Sequence, residues 1–285
     1  MRIGSAAAAC VAVVAAVGIA AYVAVHTVVP DLAGRLPTTR PCLVQANGEV
    51  TLDLDQMANA ATISAVAIRR GLPTQAVVVA LATSLQESKL QNLPGGDRDS
   101  LGLFQQRPSQ GWGSAGQIAD QRYAANAFYT ALVKVPNWQT MRVTDAAQAV
   151  QHSATPEAYQ RWAGDADVLA RALAGDASGA VACVVSAAPQ QRGAAAANEL
   201  ISGMRLDWGD VGAFRSNDVV GVDLSVTDAR AGWRYAHWLV AHAEPRGVKR
   251  VSFAGLEWTA SGGRWAEAAD KTTAGNERVV AEVYQ

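Results

Sequence analysis

The sequence predicts a mainly α-helical domain followed by a small α+β domain, both behind an N-terminal transmembrane helix. Three observations predict it. From Ala6 to Val25 the chain carries no charged or strongly polar side chain, and a helix of that length spans about 30 Å, the thickness of a bilayer core. Between residues 51 and 183 apolar residues recur at helical spacing in several capped segments. After residue 199 the hydrophobic period switches to two around Val220, Val222, Leu224 and Val226.

The first element, residues 1–29, reads as a signal anchor. Arg2 before the apolar run favours an inside N-terminus and an extracytoplasmic remainder. A cleaved signal peptide is the alternative and would make the protein secreted, but the run is long for one and has no polar region before a cleavage site. Cys10 precedes most of the apolar run, the reverse of a lipoprotein cysteine, and reads as a small membrane-helix residue. Residues 30–50, with three prolines and no period, read as a stalk. Cys42 and Cys183 bracket the helical domain, and an oxidising compartment would let them pair. Two buried thiols are the alternative.

The helical domain spans 51–183. Its first helix runs from the acidic start at Asp53 to a stop at Gly71. Pro73 suits the first turn of the next, where Val77, Val78, Leu81 and Leu85 keep a helical period to Lys89. Asp120 reads as the N-cap of a third helix with Ala124, Ala127, Phe128, Ala131 and Leu132 on one face. A fourth starts near Val143, and a last one opens at Thr155-Pro156-Glu157 and stops at Gly175. Residues 184–198, low in complexity, read as a linker. In the α+β domain of residues 199–285, Asp228 precedes a helix carrying Trp233, Ala236, Val240 and Ala243 on one face. Short strands follow in "VKRVSFAG", "LEWTA" and "RVVAEVYQ".

Composition narrows the function. Half of the 285 residues are hydrophobic and the formal net charge is −1, so a core is available and no basic footprint points to nucleic acid. His152 stands alone, and His237 and His242 are five apart on a helix and do not share a face, so no metal site and no cofactor is expected. Glu87 is the notable side chain. It closes an apolar helix, where the macrodipole and the neighbours Leu85 and Leu90 both favour a protonated acid, the form able to protonate a glycosidic oxygen.

The text around Glu87, "QESKLQN" followed by "DRDSLGLFQQ", resembles the soluble lytic transglycosylase branch of the lysozyme-like superfamily. In that family a helix ends in Glu-Ser, a variable loop follows, and then comes Ser-x-Gly-x-x-Gln. Here these are Glu87-Ser88 and Ser100-Leu101-Gly102-Leu103-Phe104-Gln105. Phe104 stands where the family usually has methionine. "AVQHSATPEAYQRWA" occupies the place of the family's later Tyr-Asn element, with Gln151, Ser153 and Tyr159 as candidates. The resemblance covers about 120 residues and implies a lysozyme-like fold that cleaves the β-1,4 bond between N-acetylmuramic acid and N-acetylglucosamine in peptidoglycan. Glu87 would be its single catalytic acid/base. Gly102 would let the backbone approach substrate, Gln105 and Gln106 would bond acetamido groups, and Ser100, Phe104, Gln151 and Tyr159 complete the expected substrate-binding set.

Two alternatives stand beside this reading. A hydrolytic muramidase needs a second carboxylate, for which Asp97 and Asp99 are candidates. A noncatalytic wall-binding or scaffold protein would keep the groove without the chemistry. The C-terminal part resembles modules of unknown function in actinobacterial exported proteins. Its Trp233, Trp238, Trp258 and Trp265 are read as core, or as a surface for wall or a protein partner. The expected location is the cell membrane, single-pass, with the bulk of the chain outside and peptidoglycan glycan strands as partner.

Overall fold

The computed structural model describes residues 42–216, 219–269 and 275–285. The predicted membrane helix and the stalk up to residue 41 lie outside the described residues, among which no helix is long and apolar enough to cross a membrane.

From Cys42 the chain is a hairpin, not a stalk. Strands β1 (Cys42–Gln45) and β2 (Glu49–Leu52) pair antiparallel, turned by Asn47 and Gly48 at positive φ. The prolines that suggest a stalk all precede Cys42. Helix α1 (Leu54–Arg69) starts in a capping box. Asp53 Oδ1 accepts from the Gln56 N–H at 2.7 Å, and Gln56 Oε1 accepts from the Asp53 N–H at 2.9 Å. Helix α2 (Thr74–Glu87) is buried at every position from Ala76 to Leu85. A helix apolar on all sides belongs at the centre of a fold. The helices of this part assemble around it.

Short helix α3 (Ala115–Ile118) leads to α4 (Gln121–Leu132). Asp120 caps α4 as predicted, accepting from the Tyr123 N–H at 2.8 Å. The buried face of α4 is Ala124, Ala125, Phe128, Tyr129 and Leu132, rotated from the predicted one, while Ala127 and Ala131 are half-buried. Tyr129 turns inward because its hydroxyl finds the Ile63 carbonyl at 3.1 Å. Helix α5 (Val143–Gln151) follows. The predicted last helix is two pieces, a 3₁₀ turn over Pro156–Trp162 and then α6 (Ala163–Ala174), which stops at Gly175 with φ of 84°. Strand β3 (Val181–Cys183) returns to β1, placing Cys183 opposite Cys42. The two form a disulfide, so both ends of the helical part are tied together.

Helix α7 (Gly193–Trp208) occupies the C-terminal half of the predicted linker. Alanine runs lower sequence complexity but are the strongest helix formers, and here Leu200, Ile201, Met204 and Trp208 supply the buried face. Then come β4 (Phe214–Arg215), β5 (Gly221–Ser225), α8 (Ala229–Ala241), α9 (Ala243–Arg246), β6 (Val248–Phe253), β7 (Leu256–Thr259), β8 (Trp265–Glu267) and β9 (Arg278–Val283). Among the described residues these strands form one antiparallel sheet in the order β4-β5-β9-β6-β7-β8. Asp228 caps α8 through the Ala231 N–H at 2.8 Å. Helix α8 lies between this sheet and helices α1 and α6.

The helical and sheet parts are therefore not separated by a free linker. Trp258 Nε1 donates to the Cys183 carbonyl at 3.1 Å, and Trp265 Nε1 to the Val181 carbonyl at 2.8 Å. Trp233, Trp238 and Trp258 are buried and Trp265 is half-buried, so these rings are core, not a partner surface. His237 adds a polar rivet, its Nδ1 donating to the Ala172 carbonyl at 2.7 Å and its Nε2 accepting from the Ala180 N–H at 2.9 Å. Buried residues from both parts join one core.

Candidate active site

Helix α2 ends where its side chains begin to matter. Ser88 is its C-cap, and Lys89 and Leu90 follow in the left-handed region with φ of 57° and 61°. Two amides of α1 hold this turn. Gln56 Nε2 donates to the Lys89 carbonyl at 2.7 Å and Asn59 Nδ2 to the Leu90 carbonyl at 2.8 Å. The Lys89 ammonium folds back onto the Leu85 carbonyl at 2.9 Å, one of the open carbonyls of the helix end. Glu87, the last helical residue, is thus presented by a helix whose every other face is packed.

The Ser100–Gln106 loop docks beside it. Ser88 Oγ and Ser84 Oγ both donate to the Leu103 carbonyl, at 2.7 and 3.0 Å. Leu101 and Gln106 pair across the loop with backbone bonds of 2.9 and 3.0 Å. Gly102, at φ of 72°, is buried, and a Cβ there would lie 2.8 Å from the Ile118 carbonyl oxygen. Its freedom therefore serves a close approach to the protein's own backbone, not to an open ligand surface. Phe104 is fully buried and stacks on Phe128 with centroids 4.7 Å apart. Gln106 is buried with Nε2 on the Ala124 carbonyl, and Ser100 is buried too. Of the expected substrate-binding set these four build the loop from inside, because the motif's small and apolar residues are what lets it pack on α2. Gln105 is half-buried, its Nε2 on the Gly102 carbonyl at 3.1 Å.

Gln151 and Tyr159 do converge on Glu87. Tyr159, fully buried in the 3₁₀ turn, donates its hydroxyl to Glu87 Oε1 at 2.6 Å. Burial first, and the bond to Glu87 second, push the phenol well above the usual tyrosine range, so it remains a donor. Gln151, the last residue of α5, bridges with Nε2 from Glu87 Oε1 (3.3 Å) to the Phe104 carbonyl (2.9 Å). The left-handed His152 then turns the chain into the segment that delivers Tyr159. Ser153 Oγ accepts from the Thr155 N–H at 3.1 Å and its side chain also bonds the Tyr159 hydroxyl, acting against the rise of the phenol. Glu87 is half-buried, and its Oε2 has no partner among the described residues. One carboxylate oxygen is held by two neutral donors and the other is open.

Neighbours that the motif did not single out frame the acid. Gln86 Oε1 accepts from Trp162 Nε1 at 2.9 Å and from Arg161 at 2.8 Å. Lys89 Nζ sits 4.5 Å above the Trp162 ring, and the Arg161 guanidinium 5.1 Å from it. Burial, and then Arg161, hold the Lys89 ammonium below the usual lysine value, with Glu87 acting against them. Their adjacency to Glu87 and Tyr159 in sequence is the signal that could have found them. On the other flank a cavity of about 630 Å³ is lined by Gln151, His152, Trp112 and Lys134, and a neighbouring one of about 400 Å³ shares Trp112 and Lys134.

The other carboxylates of the loop differ. Asp99 accepts from Arg107 Nε at 2.7 Å, from the Ser109 N–H at 2.8 Å and from Ser109 Oγ at 3.0 Å. The Ser109 N–H above all, and then Arg107, hold it well below the usual carboxylate range. Asp97 is almost fully exposed and faces Arg98 at 3.9 Å. Among the described residues no group of three or more His, Cys, Asp or Glu is placed to hold a metal. The geometry is that of one acid with an open oxygen, whose partner Gln151 also lines the 630 Å³ cavity. No protein-family model matches the chain, and no curated protein matches it.

Proposed function

We propose that this protein is a membrane-anchored, extracytoplasmic peptidoglycan lytic transglycosylase of lysozyme-like fold, with Glu87 as its single catalytic acid/base. The observation that carries the reading is the state of Glu87. It ends a buried helix, takes two neutral hydrogen bonds on Oε1, one of them from the cavity-lining Gln151, and leaves Oε2 without a partner among the described residues. Carrying its proton on that oxygen, Glu87 gives it to the glycosidic oxygen as the bond from the muramoyl C1 breaks. The resulting carboxylate takes the proton of the muramoyl C6 hydroxyl as that oxygen bonds to C1, which closes a 1,6-anhydro ring without water. Tyr159 and Gln151 hold Oε1 and stabilise the carboxylate formed between the two steps. A hydrolytic route would need a second carboxylate free to work on water or on C1, and Asp99 is saturated by Arg107 and Ser109.

Incubating the full chain with purified peptidoglycan and weighing the products separates the readings. Anhydro-muramoyl ends support transglycosylation. Reducing ends mean a muramidase, and binding without release means a scaffold. Glu87→Gln should keep the fold and lose about 10²–10⁴-fold in rate; undiminished turnover in that variant removes Glu87 from the mechanism.

A further inference from the structure

A second cavity, of about 450 Å³, opens behind the turn that follows Glu87, where α1 and α4 of the helical part meet α9 of the sheet part. Its lining includes Arg122, Arg246, His242, Asp53 and Asp55; it shares Asn59 with the support of the turn after Glu87 but includes neither Glu87 nor the Gln151 and Tyr159 that bond it. The two guanidiniums are held in advance. Arg122 is gripped at Nε by the fully buried Asp207, and no other partner of its side chain is found among the described residues. Arg246 lies against the Trp238 ring, its Cζ 5.5 Å from the centroid, with Nη1 on the Glu199 carbonyl at 2.9 Å. Gly203 makes room for it, since a Cβ there would fall 2.3 Å from the Arg246 Cζ. No carboxylate forms an ion pair with Arg246 among the described residues, although it is buried and feels the charges of Asp207, Arg122 and Glu199.

Between them His242 holds an acceptor with nothing left to accept. Its Nδ1 donates to the Trp238 carbonyl at 2.9 Å, and burial pulls the ring to a pKa of about 4, so it is neutral at pH 7. Nε2 lies 3.3 Å from the Thr62 hydroxyl, whose single proton goes to Asp207 at 2.9 Å. A buried acceptor left without a donor costs free energy until one arrives. Among the other lining residues Asp55 is exposed and has no partner among the described residues, and Asp53 spends one oxygen on its helix cap.

We infer that this cavity binds a small zwitterion of the amino-acid or dipeptide class. Its carboxylate lies on Arg122 and Arg246, and its N–H groups donate to His242 Nε2 and to the Asp53 and Asp55 carboxylates. A simple anion meets the guanidiniums but also two repelling carboxylates, and a simple cation meets the reverse. Only a ligand carrying both charges satisfies both sets of lining groups.

Calorimetric titration of the full chain at pH 7 with glycylglycine, and with propionate and inorganic phosphate as comparison probes, tests this. Glycylglycine should bind saturably and more tightly than either anion. Arg246→Gln should weaken it by about tenfold or more. Asp55→Asn, at an exposed position that does not threaten the fold, should weaken glycylglycine and spare propionate. Glu87→Gln should bind as the parent does, which keeps this site separate from the proposed catalytic one. Absence of saturable binding of glycylglycine up to about 10 mM, equal affinity for propionate or phosphate, or indifference to Asp55→Asn would each overturn the assignment.

Discussion

Glu87 and Asp207 are both carboxylates that meet the protein interior, and they are built in opposite ways. Asp207 is fully buried, and its oxygens take Thr62 Oγ1 at 2.9 Å, Trp238 Nε1 at 2.8 Å and the Arg122 guanidinium, with His242 Nε2 at 3.9 Å. Three helices from distant parts of the chain, α1, α4 and the end of α8, meet on that one group. Glu87 is half-buried and takes only a phenol and an amide, both on one oxygen, and no ion pair reaches it among the described residues. A carboxylate whose oxygens are taken up by buried donors and a guanidinium is tied into the fold. One that neutral donors hold by a single oxygen keeps its second oxygen open to a ligand.

That contrast is tested first at Asp207, where the effect should be largest. Asp207→Ala strands the Arg122 guanidinium and the Trp238 N–H in the interior, and should cost about 3–5 kcal/mol in urea denaturation. Glu87→Gln should cost far less on the same measure. Equal costs would erase the distinction.

Acid comes next. His242 is buried in that network and His237 on the Ala172 carbonyl elsewhere in the core, and burial lowers each to about 4. The rings around His237 are Trp233 and Trp265, and the charges that act on His242 are Asp207, Arg246 and Arg122. Because the folded values lie below the unfolded one of about 6.5, the unfolded chain takes up these protons first as pH falls. Stability is therefore full above about pH 6.5 and drops between there and pH 4, by roughly 3 kcal/mol for each ring. Melting temperatures across that window would show it, and His237→Gln should flatten the slope. A slope unchanged in that variant would mean that His237 is not titrating there.

At the site itself, Tyr159→Phe removes one of the two donors to Glu87 and keeps the ring that fills the core. A hydrogen bond to a charged group contributes about 1.5–3 kcal/mol, so kcat should fall by about 10- to 100-fold. KM should stay unchanged if the bond acts on the carboxylate formed during the reaction. A change confined to KM would make Tyr159 a substrate contact instead.

How much of this was legible in the sequence follows the range of the interactions. Caps and helix ends are local, so Asp53, Asp120, Asp228 and Gly175 read correctly; Gln151 and Tyr159 were expected as substrate contacts, and the bonds they make to Glu87 come from a tertiary turn that no local pattern spells out. The hairpin at Cys42 was hidden by prolines lying just upstream, and its register depends on Cys183, which is 141 residues away. The start of α7 was masked by alanines that look like low complexity. Phe104 and Gln106 carry side chains able to bind sugar, and only packing against α4 reveals that they face inward. The Asp207 network had no signal at all, since its members are scattered from Thr62 to His242 and none stands in a motif.

The smallest effect should come from Asp99, and it bears most on which reaction is run. Asp99 resembles Asp207 more than Glu87: a guanidinium, a backbone N–H and a hydroxyl already occupy it, although it lies at the surface. As an anion tied to Arg107 and Ser109 it has no free oxygen pair to aim at water or at a sugar carbon. Asp99→Asn should therefore leave kcat unchanged on purified peptidoglycan and should not alter the ratio of anhydro to reducing ends. Its one expected consequence is a looser 99–109 loop, visible as faster amide exchange at Ser109. If the substitution instead abolished cleavage, or removed reducing-end products alone, Asp99 would be a working second carboxylate and the chemistry would be hydrolytic.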